Sequence, residues 1–252
     1  MTGSYCRSCS YGIYLRSYHF EVTRQRNMHL LQFAREVDMN EKRDFDKAAL
    51  SWDEEPRRVK LAGNVAAVII DTIHPDRTMD VLDFGCGTGL ITLLLQPQVK
   101  SIVGVDSSRG MLDVLEQKVR ERGLANVGTL FCDFERGDRP AGRFHLIVSS
   151  MTLHHVPDLQ ALFRLFCDLL QPGGVLGIAD LDAEDGSFHD DPTGVHHHGF
   201  DREMITSLLS KAGFVECSDK TADVIVKGSV PDTREYPVFL ITARKPSWPP
   251  PK

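Results

Sequence analysis

Hydrophobic and polar positions fall into regular periods from about Phe45 onward, and two periods take turns along the chain. The first is helical. Between Arg57 and Ile73, the residues Leu61, Val65, Val68, Ile69 and Thr72 recur near every third or fourth position, behind Pro56, a residue favoured in a first helical turn. Short apolar runs then alternate with longer amphipathic ones. Met79–Phe84, Ser101–Val105, Val127–Cys132, Phe144–Ser149 and Val175–Leu181 read as strands. Helices are predicted from Thr88 towards Pro97, over Ser108–Arg122 with Gly123 as its stop, and over Pro157–Leu170 ahead of the turn at Pro172, Gly173 and Gly174. A last helix, Asp201–Ala212, is capped by Gly213, and two strands, Val215–Val226 and Val238–Thr242, close the pattern.

Strands alternating with helices make βαβ units, and right-handed crossovers between them build a doubly wound, mostly parallel α/β sheet with helices on both faces. The last two strands have no helix between them, only a connection containing Gly228 and Pro231. They predict a hairpin, which puts one antiparallel strand in the sheet.

Composition narrows the partners. The 252 residues, 42% hydrophobic and 25% charged, suit one soluble domain with an extension. A net charge of −6 carries no global basic footprint, so no nucleic acid is expected and small molecules lead, ahead of proteins. No apolar run approaches the roughly 18 residues of a bilayer span, so no membrane is expected either. The six cysteines (Cys6, Cys9, Cys86, Cys132, Cys167, Cys217) are scattered as buried thiols of a reducing compartment would be, which predicts a cytoplasmic protein. Cys6 and Cys9 form a CxxC without a second pair. Residues 1–38, rich in Arg and Ser and poor in acids, read as a flexible extension or a mitochondrial targeting segment. The domain is expected over 39–245, followed by a Pro-rich tail at 246–252.

The chemistry concentrates at predicted strand ends. Asp83-Phe84-Gly85-Cys86-Gly87-Thr88-Gly89 lies where the first strand turns into a helix. Glycines at alternate positions let the backbone approach a ligand closely. The third glycine comes one residue earlier than in the GxGxxG spacing of dinucleotide enzymes, and Asp83 suits a ligand with a positive amine and no pyrophosphate. Asp106 ends the second strand, where α/β folds hold ribose hydroxyls, and an ionised carboxylate can accept two of them. Asp133 and Phe134 follow the third strand as an acceptor for an exocyclic amine and a face for an aromatic ring.

In that order, Val81–Leu90 (VLDFGCGTGL), the run Val105 to Leu112 with Asp106 and Met111, Cys132-Asp133-Phe134, and Leu170 to Gly174 resemble the motifs of class I (Rossmann-like) S-adenosylmethionine-dependent methyltransferases of the small-molecule type. The resemblance covers about Phe45 to Lys245. It implies a seven-stranded sheet with the last strand antiparallel and S-adenosylmethionine as the cofactor. It also implies a binding set of Asp83, Gly85, Cys86, Gly87 and Gly89 for the methionine portion, Asp106 and Ser107 at the ribose, and Met111, Asp133 and Phe134 at the adenine. Ser149 would approach the amino-acid end or the reacting methyl. Phe45, Asp46, Trp52 and Asp53 resemble an aromatic-rich lid.

His154 and His155, just beyond the fourth strand, are the candidate general bases, with Asp182 and His189 as further candidates beyond the fifth. The segment Asp180–Phe200 is dense in acids and histidines. The reading assigns no metal, with His189, His196 and His198 as the residues that would hold one; of His196 to His198 at most two can face one way on an extended chain. The Asn/Asp-Pro-Pro-aromatic tetrapeptide of DNA and protein amino-group methyltransferases is absent, Ser149-Ser150-Met151-Thr152 standing in its place. Ser149–Val156 also lacks the acids of aminopropyl transferases, and no Tyr-x-x-x-Lys pair supports a nicotinamide enzyme. The sequence thus predicts methyl transfer to a small-molecule acceptor. A catalytically silent cofactor-binding partner subunit and a protein-substrate methyltransferase are the alternatives.

Overall fold

The computed structural model describes residues 44–229 and 231–247. Seven strands make one sheet: β1 (Asp80–Phe84), β2 (Ser101–Asp106), β3 (Val127–Phe131), β4 (Phe144–Ser150), β5 (Leu170–Leu181), β6 (Val215–Lys227) and β7 (Arg234–Arg244). Their order is β3-β2-β1-β4-β5-β7-β6. β1 to β5 pair in parallel, whereas β7 runs antiparallel to both β5 and β6, so the expected hairpin supplies the one reversed strand. The helices are α1 (Phe45–Ala48), α2 (Pro56–Ile73), α3 (Leu90–Leu95), α4 (Arg109–Arg122), α5 (Leu159–Leu169) and α6 (Arg202–Lys211), with a 3-10 segment, Ala49–Glu54, between the first two.

The strand pleat divides the core. Leu82 and Phe84 of β1, Ile147 of β4 and Ile178 of β5 point to one face, where α5 and α6 bring Leu159, Leu162, Phe163, Phe166, Ile205 and Leu209. Val81, Leu146, Val148 and Ala179 point to the other, covered by Leu61, Val65 and Ile69 of α2 and Ile91 and Leu95 of α3. Fully burying each large aliphatic or aromatic side chain contributes about 1.5–3 kcal/mol, so the two layers fix which way every strand faces. The helices start where side chains cap them: Ser108 accepts from Met111 N, Asp158 from Ala161 N and Asp201 from Met204 N.

Element limits follow the sequence reading closely, and the larger shifts have local causes. α3 begins at Leu90 rather than Thr88, because Gly89, at φ +81°, lies in the left-handed region and breaks helical geometry. β5 starts at Leu170, which pairs with Phe144. β7 extends to Arg234, paired residue by residue along β6. Expectations for residues 1–38, Cys6 and Cys9 included, and for most of the tail lie outside the described residues. Among those described, no helix is long and apolar enough to cross a membrane.

Candidate active site

The carboxyl ends of β1, β2 and β4 meet at one edge of the sheet, and the glycine loop is drawn there by its own backbone. Gly85 N and Cys86 N both donate to Val105 O, at 2.8 and 3.0 Å, tying the loop to the end of β2. Gly85, Gly87 and Gly89 all have positive φ, yet their surroundings differ. A Cβ on Gly85 would strike Thr152, and one on Gly89 would strike Leu115. A Cβ on Gly87 would meet only Met111 Sδ, at 3.9 Å. Gly87 therefore borders open space, as a backbone that admits a ligand must.

Asp106 stands across that space. Its carboxylate accepts from Gly87 N at 2.8 Å and Ser108 N at 2.9 Å, one bond to each oxygen. An ionised carboxylate has about four acceptor positions. Ser107 N contributes as well, and acceptor capacity beyond these amides is what a ribose hydroxyl would use. Burial pushes the Asp106 carboxyl up, against the opposing hydrogen bonds from Ser108 and Gly87, and the nearby Asp46 charge adds to the rise. Ser107 is exposed beside it.

Asp83 is buried under the loop, and Thr92 Oγ1 donates to its Oδ2 at 2.6 Å. Burial raises its pKa to about 7, opposed by the Thr92 hydroxyl and reinforced by Asp106. Two carboxylates so placed favour a cationic ligand. The residues present thus fit a ligand with a ribose diol and a positive amine. Cys86 is buried against Leu112 and Leu115, and burial pushes its thiol up.

The remaining residues of the expected set fall around this centre. Met111 is buried behind Gly87. Asp133 caps the 3-10 turn Phe134–Arg136, accepting from Glu135 N and Arg136 N, with Arg136 Nε 3.2 Å from its other oxygen. The Phe134 ring is half-buried, with the Arg139 guanidinium 4.5 Å from its centroid and Phe84 at its edge. Ser149 departs from the sequence reading. It is fully buried, and its hydroxyl donates to Phe84 O at 2.9 Å, so β4 uses it to brace the end of β1.

Over the loop lies the segment from Phe45 to Glu54. Asp46 Oδ1 accepts from Ser108 Oγ at 2.5 Å and Gly110 N at 2.9 Å. Asp53 accepts from Thr88 Oγ1 at 2.6 Å and from Lys118, which also donates to Thr88 O at 2.8 Å. The Phe45 ring packs edge-on against Trp52 and against His155, with centroids 5.9 and 5.2 Å apart. The sequence marked Phe45, Asp46, Trp52 and Asp53; Lys118 and the other partners of the two acids had no local signature.

Beyond β4 the chain turns through Met151, held at φ +53°, a conformation that costs a bulky residue on the order of 1 kcal/mol or more. The turn sets Thr152 Oγ1 3.3 Å from Gly85 O and brings two imidazoles up beside the loop. His154 is buried, with Nδ1 2.7 Å from Asp180 Oδ1. Asp180, at the end of β5, also accepts from the amides of Leu153 and Leu181, at 2.9 and 2.8 Å. Burial pushes that carboxyl up, but its pairing with His154 and the amides together hold it below the usual carboxylate range. His155 Nδ1 lies 2.7 Å from Gly194 O, and burial together with the neighbouring His154 lowers its pKa to about 4.

The other candidates sort differently from the sequence reading. Asp182 is held by Arg202 through two 2.7 Å bonds, which commits its carboxylate to structure. His189 joins His154 and His155, with ring centroids 4.7 and 6.1 Å away. His196 and His198 do not join them. His196 N donates to His154 O at 2.8 Å, and His198 is half-exposed, 3.6 Å from Glu184.

A glycine loop and strand-end acids at the carboxyl edge of a sheet with one reversed strand define the architecture of a class I methyltransferase. The chain belongs to the methyltransferase-domain family, whose model matches residues 54–218. It is 34% identical over 198 residues to an uncharacterized methyltransferase of Schizosaccharomyces pombe, covering 73% of this chain and 68% of that one. It is 30% identical over 143 residues to the ubiquinone biosynthesis O-methyltransferase of Coxiella burnetii, covering 56% and 61%, and 31% identical over 137 residues to the nocamycin O-methyltransferase of Saccharothrix syringae, covering 53% and 48%. The chain thus spans about half to two thirds of the length of these relatives. Among solved structures, the phosphoethanolamine N-methyltransferase 2 of Haemonchus contortus in complex with S-adenosyl-L-methionine superposes with a TM-score of 0.59 at 18% identity, covering 72% of this chain and 52% of that one. The DhpI–SAH complex gives 0.62 at 20%, covering 81% and 94%. The fold is shared with both. The family is one of methyltransferases.

Proposed function

We propose that this enzyme methylates a hydroxyl oxygen of a small molecule that enters between the Phe45 lid and the His154–His155 turn. The observation that carries the reading is the buried His154–Asp180 pair at 2.7 Å, set directly beside the glycine loop through the contact of Thr152 with Gly85 O. Bound S-adenosylmethionine supplies a methyl group on a positively charged sulfur, a good leaving group. The chain's own residues do the rest. Asp106 takes the ribose hydroxyls, Gly87 admits the cofactor backbone, and Asp83 faces the amine. Met111, Asp133 and Phe134 line the adenine end. Phe45 and Trp52 shield the centre from water, which strengthens the charge interactions within it.

An oxygen acceptor must lose a proton, and a neutral imidazole oriented by a carboxylate can take it. Asp180 fixes the proton of His154 on Nδ1, leaving Nε2 as the acceptor, while His155 lines the approach. Two relatives named as O-methyltransferases support oxygen over nitrogen. The net charge of −6 supports a small acceptor over nucleic acid. Free cysteines at 86, 132, 167 and 217 support a reducing compartment such as the cytoplasm.

Titration with S-adenosylhomocysteine, repeated with Asp106→Ala, tests the cofactor assignments. Release of S-adenosylhomocysteine from a panel of phenols, alcohols and amines then tests the acceptor. Turnover only with amines overturns the oxygen assignment. Turnover only with proteins moves the protein-substrate alternative to the front, and cofactor binding without any turnover moves the silent-subunit alternative there.

A further inference from the structure

Three imidazoles from two distant segments meet beside the glycine loop. A ring nitrogen from each of His154, His155 and His189 lies within 4.8 Å of the other two. We propose that these three residues bind one divalent transition-metal ion of the zinc or iron(II) type, with an open position for the acceptor's oxygen. The proposal rests on the reading that the acceptor enters at this turn, and it names the chemistry that would recognise it.

The donor set fits. Imidazole suits zinc, iron, copper and nickel, and three protein ligands with a vacant fourth position are the pattern of catalytic rather than structural zinc. Zinc–nitrogen bonds of about 2.0–2.1 Å in a tetrahedron set ligand nitrogens about 3.3 Å apart. Small side-chain rotations close the gap from the observed spacing.

The outer shell fits as well, and this is what separates the cluster from three histidines that merely pack. A metal-bound histidine donates its other ring N–H to a carboxylate or a backbone carbonyl. His154 Nδ1 meets Asp180 Oδ1, and His155 Nδ1 meets Gly194 O, each at 2.7 Å. A carbonyl can only accept, so Nδ1 of His155 carries the proton and Nε2 keeps its lone pair. Nδ1 of His154 likewise carries the proton, because the Asp180 carboxylate can only accept. His189 is held in place from both sides, because Lys227 Nζ donates to Phe188 O at 2.6 Å and to Asp190 Oδ1 at 2.9 Å. The His154 turn is clamped in turn by His196 N on His154 O and by His197 Nε2, 3.0 Å from Val156 O. Of the histidines marked in the sequence as metal candidates, only His189 belongs to the cluster.

An ion there is a Lewis acid that polarises the acceptor's hydroxyl. Without the ion Nε2 of His154 is the base; with the ion bound His154 is a ligand instead, and the proton that the acceptor's hydroxyl loses leaves to solvent water.

The test uses the full chain, stripped with a chelator and titrated with Co2+. Visible absorption reports coordination, and ion content after gel filtration reports stoichiometry. S-adenosylhomocysteine is titrated into the same stripped sample as an independent reading of the cofactor site. The expected result is one Co2+ per chain with the intense absorption of a four-coordinate site. Affinity should fall at least tenfold in His189→Ala and about 10–100-fold in Asp180→Asn, each verified as folded by cooperative thermal unfolding. The double variant His196→Ala/His198→Ala should bind as the parent does. Absence of stoichiometric Co2+ binding, or binding that survives His189→Ala, or binding lost in the His196/His198 variant, overturns the proposal. If S-adenosylhomocysteine still binds in that event, only the metal site has failed; if it does not, the cofactor assignments have failed with it.

Discussion

The amide of Gly87 donates to the carboxylate of Asp106 across 2.8 Å, so the acid assigned to the ribose also holds the glycine loop in shape. Removing it does two things at once. Two hydrogen bonds from ribose hydroxyls to a charged group, at about 1.5–3 kcal/mol each, predict that Asp106→Ala weakens S-adenosylhomocysteine binding at least about a hundredfold. Asp106→Asn keeps an acceptor for one amide only and should fall between the two. Isothermal titration of the three proteins checks the ranking.

Gly87 and Gly89 should separate binding from folding. Gly89→Ala forces a side chain onto Leu115 at φ +81°, and a destabilisation of about 1–3 kcal/mol is expected. Gly87→Ala meets only Met111 Sδ, so its cost is backbone strain of about 1–2 kcal/mol, while the methyl stands in the space assigned to the cofactor. Denaturant unfolding should therefore show Gly89→Ala as the less stable variant. Cofactor titration should show Gly87→Ala as the one that loses binding while folded.

Asp83 predicts a pH dependence whose sign is fixed. Burial raises it to about 7 from an ordinary 3.8, so the folded, ligand-free chain keeps a proton that the unfolded chain has lost. Its contribution to stability is fully present below the ordinary value and disappears as pH rises through about 7. A cationic ligand favours the ionised form, so affinity for S-adenosylhomocysteine should climb between pH 5.5 and 7 and level off above. Asp83→Asn should flatten that climb, which titrations across the range would read. A parent profile as flat as the variant's would refute the assignment.

The lid latches predict faster exchange when cut. Asp46 and Asp53 each accept two hydrogen bonds from the cofactor side, at about 0.5–1.5 kcal/mol net apiece. Asp53→Ala should raise the dissociation rate of S-adenosylhomocysteine several-fold, and Asp46→Ala/Asp53→Ala further. Stopped-flow release measures the rates.

Most of the sheet could be read from the sequence because most strands are local apolar runs and the helices at Arg109, Leu159 and Arg202 carry their own caps. The glycine loop, Asp83 and Asp106 were legible for the same reason: their spacing is set within one βαβ unit. The His154–Asp180 pair was not. It joins residues 26 apart, and only the parallel pairing of Ser150 with Ala179 brings them together. Asp182 read as a free base because its partner Arg202 lies beyond the histidine-rich loop. His189 looked equivalent to His196 and His198, and Lys227, far along β6, is what sets it apart. Ser149 had the right place at a strand end. The pleat, however, turned its hydroxyl onto Phe84 O.

The lid touches both ligands' sides of the centre, Asp46 and Asp53 against the cofactor loop and Phe45 against His155. Two ligands that share one closing segment are linked, and linkage is reciprocal: the factor by which an acceptor tightens the cofactor is the factor by which the cofactor tightens that acceptor. A true acceptor would thus reveal itself before any product forms. Among candidate compounds, it is the one that slows the escape of S-adenosylhomocysteine.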